Sequence, residues 1–165
     1  MNQMYAEAGV KRKDTPSTMA LRVLLVLGIV VGVLLMLLGS FFTFIGLALA
    51  AILIFLYPRL NVEYEYVFVD GQIDFDRISG KSKRKTLLRV DMEQVEIVAQ
   101  QGSHALDSYT HIKSDFKDFS SGSKDSRPYI IMANIENRKC RIAFEPTEKK
   151  LSLMKQKSPR KISQI

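Results

Sequence analysis

Between Val23 and Tyr57 the chain reads "VLLVLGIVVGVLLMLLGSFFTFIGLALAAILIFLY", without one charged side chain. About 18 such residues already mark a membrane helix, and this run is almost twice as long. As one helix it would rise about 50 Å, against a hydrocarbon core of about 30 Å. Tilting does not absorb a mismatch of that size. Two helices fit, and Gly39-Ser40 is the place to break them. The pattern therefore predicts a transmembrane hairpin over 19–57, with helices at Met19–Leu38 and Phe41–Tyr57. Pro58 closes the second helix because it cannot continue the hydrogen-bond ladder. Tyr57 and Arg59 suit the interface there. A cleaved signal peptide, with Ala48–Ala50 as its processing site, is the rival reading, but the apolar run far exceeds a signal core.

The flanks orient the hairpin. Lys11, Arg12, Lys13 and Arg22 precede or open it, Arg59 follows it, and the connecting turn is uncharged. Basic residues stay on the cytoplasmic side. Both ends, including an N-terminal segment over 1–18, are therefore expected in the cytoplasm of a two-span cell-membrane protein. A lone cysteine, Cys140, agrees with a reducing compartment.

After the membrane segment the pattern changes to period two. In "VEYEYVFVDGQIDFDRIS" Tyr64, Tyr66 and Phe68 share one strand face. Asp70-Gly71 is a strong hairpin signal, because both residues tolerate positive φ. Ile73 and Phe75 resume the apolar face, with Asp74 and Asp76 expected in solvent. A basic turn over Gly80–Lys85 leads to strands about Thr86–Val90 and Val95–Gln100. The polar stretch 101–128 is expected to dock Phe116 and Phe119 beside a short, irregular strand. "YIIMANI" and "CRIAFE" make a further hairpin around "ENRK". Thr147 caps a terminal helix, about 147–158, in which Leu151 and Met154 form the apolar stripe and the basic residues from Lys150 onward stay wet. Six or seven antiparallel strands and one helix over 62–165 imply an α+β barrel or sandwich, with the helix plugging one end.

The order "YEYVFVDGQIDFDRISGKSKRK", "LLRVDMEQVE" and "FEPTEKKLSLMK" resembles bacterial pleckstrin-homology-like (PH-like) domains. More closely, it is similar to small bacterial membrane proteins in which a helical hairpin precedes such a domain. The resemblance implies the fold and a membrane-associated, non-catalytic role, with no defined ligand. Phosphoinositide-binding relatives carry basic residues around their first hairpin. Here that turn is the short, acidic Asp70-Gly71, so inositol-phosphate recognition does not carry over.

The second turn holds the basic residues instead. "GKSKRKTLLR", 80–89, has five cations and no acid. Lys81, Lys83, Arg84 and Lys85 are candidate contacts for lipid headgroups, and four cations near an anionic surface could contribute roughly 3–4 kcal/mol. A solvated turn that obeys the positive-inside trend is the plain alternative. Nucleic acid is disfavoured, since the run has no interleaved aromatics and matches no nucleic-acid module. His104, Asp107 and His111 are spaced as on one helical face but lack a fourth ligand and a helical context, so neither a metal nor another cofactor is expected. Cys140 falls in a core strand, where it acts as a small hydrophobe. Nothing assembles a catalytic set. Gly28 and Gly32 form G-x-x-x-G, a candidate helix-packing face, either within one chain or between copies.

The expected function is a non-enzymatic, membrane-anchored adaptor or assembly protein that binds an unidentified protein partner. An anionic-lipid-sensing module acting through 81–85 is the alternative. The two differ in salt response, since electrostatic lipid docking weakens with ionic strength.

Overall fold

The computed structural model describes residues 5–39, 41–80 and 83–163. The chain divides into a helical unit, Lys13–Val62 with Ile78–Lys83, and a β unit made of the remaining segments.

In the helical unit, α1 runs over Pro16–Leu37 and α2 over Phe41–Leu56. Thr15 caps α1, its hydroxyl accepting from the Thr18 N–H at 3.3 Å, and Pro16 takes the first helical position, where no N–H is needed. α1 therefore begins earlier than the apolar run alone indicates. It stops where Gly39 turns left-handed, φ +75°, and donates its N–H to the Met36 carbonyl. α2 ends before Pro58, and a 3-10 turn continues over Tyr57–Leu60. The two helices meet through small residues. A Cβ on Gly46 would stand 2.3 Å from the Gly32 carbonyl oxygen, and one on Gly32 would stand 3.2 Å from the Ala50 nitrogen. Only glycine allows that approach. The side chains facing away from this seam, among them Leu24, Leu34, Phe44 and Phe55, are apolar and exposed. α1, and α2 continued through the 3-10 turn to Leu60, are each long and apolar enough to cross a membrane.

In the β unit, β1 (Tyr5–Lys11), β2 (Val62–Val69), β3 (Gln72–Ser79) and β4 (Lys83–Asp91) form one sheet in that order. The strand β1 corrects the expectation of a separate N-terminal segment over 1–18. It pairs antiparallel with β2 from Tyr5↔Val69 to Lys11↔Glu63. The whole helical hairpin is thus inserted between two neighbouring strands. The β2–β3 connection is the two-residue turn Asp70-Gly71, both at positive φ.

A second sheet has the order β5-β7-β8-β6, with β5 at Val95–Gln100, β6 at Asp115–Asp118, β7 at Tyr129–Ile135 and β8 at Arg138–Phe144. Glu136-Asn137, again both at positive φ, joins β7 to β8. The all-antiparallel expectation fails at one place, where β6 lies parallel to β8. Near the C-terminus, Ile162 bridges to Val98 in parallel, with the Val98 N–H donating to the Lys161 carbonyl at 2.7 Å. Among the described residues, the eight strands form two open four-stranded sheets, not a closed barrel.

The inner faces of the sheets meet in an aromatic core. Phe75 stacks on Phe119 at 4.8 Å and meets Phe144 edge-on at 5.9 Å, while Tyr66 packs edge-on against both Phe75 and Phe144. The Tyr66 hydroxyl donates to the Phe119 carbonyl at 2.5 Å, and burial pushes its pKa up. Phe119 docks as expected from its sequence context; Phe116 does not. It is exposed, with the Arg141 guanidinium 5.8 Å from its ring centroid.

α3, Glu148–Lys157, is capped by Thr147 and buries Leu151 and Met154. It also buries Lys150 completely, at 0% exposure, which corrects the expectation that every basic residue of this helix stays in water. The Lys150 ammonium donates to the Tyr66 carbonyl and lies 5.2 Å from the Tyr66 ring centroid. Burial pulls its pKa down to about 8, with Glu7 opposing the shift.

Candidate functional site: a cationic groove beside the second helix

The basic run does not act as one patch. Lys81 lies outside the described residues. Lys83, Arg84 and Lys85 belong to β4 rather than to the preceding turn, because the strand starts three residues earlier than its apolar alternation indicates. β4 is an edge strand, and charged side chains on an edge discourage pairing with another chain.

Arg84 is bound up within the β unit. Its guanidinium pairs with Glu65 and lies 3.7 Å from Asp76 and 3.8 Å from Glu7. Asp76 is only 5% exposed, contrary to the expectation of a solvent-facing carboxylate, and its Oδ1 has no hydrogen-bond partner among the described residues. Beside this cluster Arg89 grips Asp74 through two hydrogen bonds, of 2.9 and 3.1 Å. Asp74 and Asp76 thus serve as ion-pair partners for β4 cations. Period-two alternation places them on a common face but is silent on what the neighbouring strand brings to it.

Lys83 has a different setting. With Arg59 it lines an open groove of about 490 Å³ in the helical unit, whose other walls include Ile54, Phe55, Pro58 and Gly80. Three local features shape it. Pro58 turns the chain out of α2, so that Arg59 leaves the helix axis. The Arg59 guanidinium lies 4.4 Å from the Phe55 ring centroid, a cation–π contact that holds it against the helix end. Gly80, at φ +63°, donates its N–H to the Asn61 carbonyl at 3.1 Å and brings the turn after β3 against Pro58 and Arg59. A Cβ at Gly80 would sit 3.5 Å from the Arg59 Cα, in a conformation that side chains rarely adopt. Among the described residues neither Arg59 nor Lys83 pairs with a carboxylate. The groove therefore offers two free positive charges beside an apolar wall.

Other candidates fall elsewhere. His104 and Asp107 lie 3.1 Å apart on an exposed 3-10 turn, and His111 is exposed beyond it. Among the described residues no three metal-capable side chains converge. Cys140 is buried, and burial pushes its thiol pKa up. Gly32 packs on Gly46 and Ala50 of the same chain, and Gly28 faces the Leu53 side chain. Sequence reasoning passed over the partner half of this seam, although Gly46 and Ala50 repeat the same four-residue spacing of small residues.

The family described as Bacterial PH-like domain (DUF6106) matches residues 2–164. The chain belongs to this bacterial PH-like family. The match takes in β1 and both apolar helices of this PH-like protein as well as the two sheets, so the inserted hairpin lies within the family pattern. No curated protein and no solved structure matches the chain.

Proposed function

We propose that this PH-like protein is a non-enzymatic, membrane-anchored adaptor or assembly component whose β unit stands at the cytoplasmic membrane face. The carrying observation is the pairing of Lys11 with Glu63, which brackets a helical hairpin with an apolar exterior. Strands that are hydrogen-bonded to each other occupy one side of a bilayer, so a hairpin inserted between them crosses and returns. The basic flanks favour the cytoplasm for that side. The protein partner would engage the β unit through its sheets or loops.

Two measurements test the proposal. The protein should stay in the membrane pellet through an alkaline carbonate wash. A photo-crosslinking residue at exposed Phe116 or Leu87 should yield a discrete protein adduct in living cells that persists at high salt. Release by carbonate rejects the anchor, and the absence of any discrete adduct across the exposed β-unit positions rejects the adaptor role.

The lipid reading, first drawn over Lys81, Lys83, Arg84 and Lys85, is supported in a narrower form by the groove. Arg84 is occupied by carboxylates, whereas Lys83 stands with Arg59 beside an apolar wall.

A further inference from the structure

We propose that the groove between the end of α2 and the turn after β3 binds one anionic phospholipid, its phosphodiester between Arg59 and Lys83 and the start of an acyl chain along Ile54 and Phe55. The proposal deepens the membrane-anchor reading and rests on it. Its chemistry follows from what lines the groove.

One wall is the last turn of α2, apolar and continuous with the exposed apolar surface of that helix. Beside it stand two cations with no carboxylate among the lining residues. A free anion would be served by the charges but would leave the Ile54 and Phe55 surface uncovered. A neutral lipid would cover that surface and leave the charges without partners. A phospholipid with a net negative headgroup satisfies both, and a helix that runs into a bilayer delivers such molecules to this place. The volume, about 490 Å³, suits a headgroup with its first acyl carbons and is within the usual range for small-molecule sites.

The arrangement also separates the two cations from their neighbours in sequence. Arg84 is neutralised by Glu7, Glu65 and Asp76, and Lys85 does not line the groove. Arg59 is held on the Phe55 ring in a contact that orients the guanidinium without cancelling its charge. A diffuse basic surface would draw on all the cations of the run. Among the described residues of that run the groove draws on Lys83 alone, together with Arg59, which lies in a different segment.

The test uses full-length protein in mild detergent, given equal amounts of phosphatidylglycerol and phosphatidylcholine, with retained lipid counted by native mass spectrometry. The wild type should prefer phosphatidylglycerol. Arg59→Gln and Lys83→Gln should each reduce that preference about fivefold, the effect of losing one cation near an anionic lipid. Lys85→Gln should leave it unchanged, and millimolar glycerol phosphate should not compete. Lys83 is exposed and has no ion pair among the described residues, so Lys83→Gln decides the matter even if the Arg59 variant folds poorly. The proposal is overturned if the wild type shows no preference, if the preference survives Lys83→Gln, if Lys85→Gln lowers it equally, or if glycerol phosphate displaces the lipid. Carbonate extraction reports separately on the anchor. A protein that stays in the membrane but shows no preference refutes only the lipid site.

Discussion

Lys11 and Glu63 are partners across the β1–β2 ladder, although both apolar helices lie between them in sequence. A hairpin inserted at that point has little freedom in topology. Cysteines introduced at Lys11 and at exposed Lys124 should behave alike toward an impermeant maleimide, both protected in intact cells, while Leu38→Cys should be labelled. Cys140 adds little background, because it is buried and burial raises its thiol pKa. Opposite labelling of Lys11→Cys and Lys124→Cys would refute a shared side.

The Gly32–Gly46 seam should be the least tolerant part of the hairpin. A Cβ at Gly46 meets backbone at 2.3 Å, so a larger residue there must push the helices apart. Gly46→Leu is expected to destabilise the hairpin by about 1–3 kcal/mol, as overpacking does. Gly28→Ala should cost much less, since its Cβ would meet only the end of the Leu53 side chain. Thermal unfolding of the two variants in detergent would check the order.

Arg84 is expected to act on stability rather than on lipid binding. Removing it leaves Glu7, Glu65 and buried Asp76 facing one another without their cation. Arg84→Gln should lower stability by about 1–3 kcal/mol, typical of a buried charged group that loses its partner. Asp76→Asn in that background should restore part of the loss by removing one of the repelling charges. Lys85→Gln should stay within about 0.5 kcal/mol of wild type. Denaturation midpoints of the three variants against wild type would read this out.

Lys150 should give the fold an alkaline signature. Its pKa falls from the usual 10.5 in the unfolded chain to about 8 in the fold, so between those values the unfolded state binds more protons. Stability should therefore rise as pH increases from about 8 to 10.5, while the burial cost of the ammonium is relieved. Lys150→Met should remove this component of the slope. A pH series of melting temperatures on wild type and variant tests it, and identical slopes would show that the lysine is not the cause.

Legibility in the sequence varied with the range of the interaction concerned. The apolar run disclosed both helices, since composition and length alone bear on crossing a bilayer. Asp70-Gly71 disclosed its hairpin because a tight turn depends on the φ that its own residues accept. β1 escaped notice. "YAEAGVK" puts only Ala6, Ala8 and Val10 on its inward face, a weak alternation that becomes a strand only when β2 supplies hydrogen-bond partners. Phe116 and Phe119 look alike in sequence, yet one is exposed and the other packs on Phe75. The basic run was visible as charge, but its division into an ion-paired Arg84 and a Lys83 that lines the groove was not.

Read alone, the sequence determined a two-helix apolar hairpin, a β-rich unit and an excess of positive charge, because periodicity, turn chemistry and hydropathy are properties of neighbouring residues. Tertiary structure alone decided that β1 pairs with β2, that β6 runs parallel to β8, that Lys150 is buried, and that Arg59 and Lys83 line one groove. Each of these depends on contacts between segments far apart in the chain, where the partner that excludes water or supplies a hydrogen bond is not encoded in the local pattern.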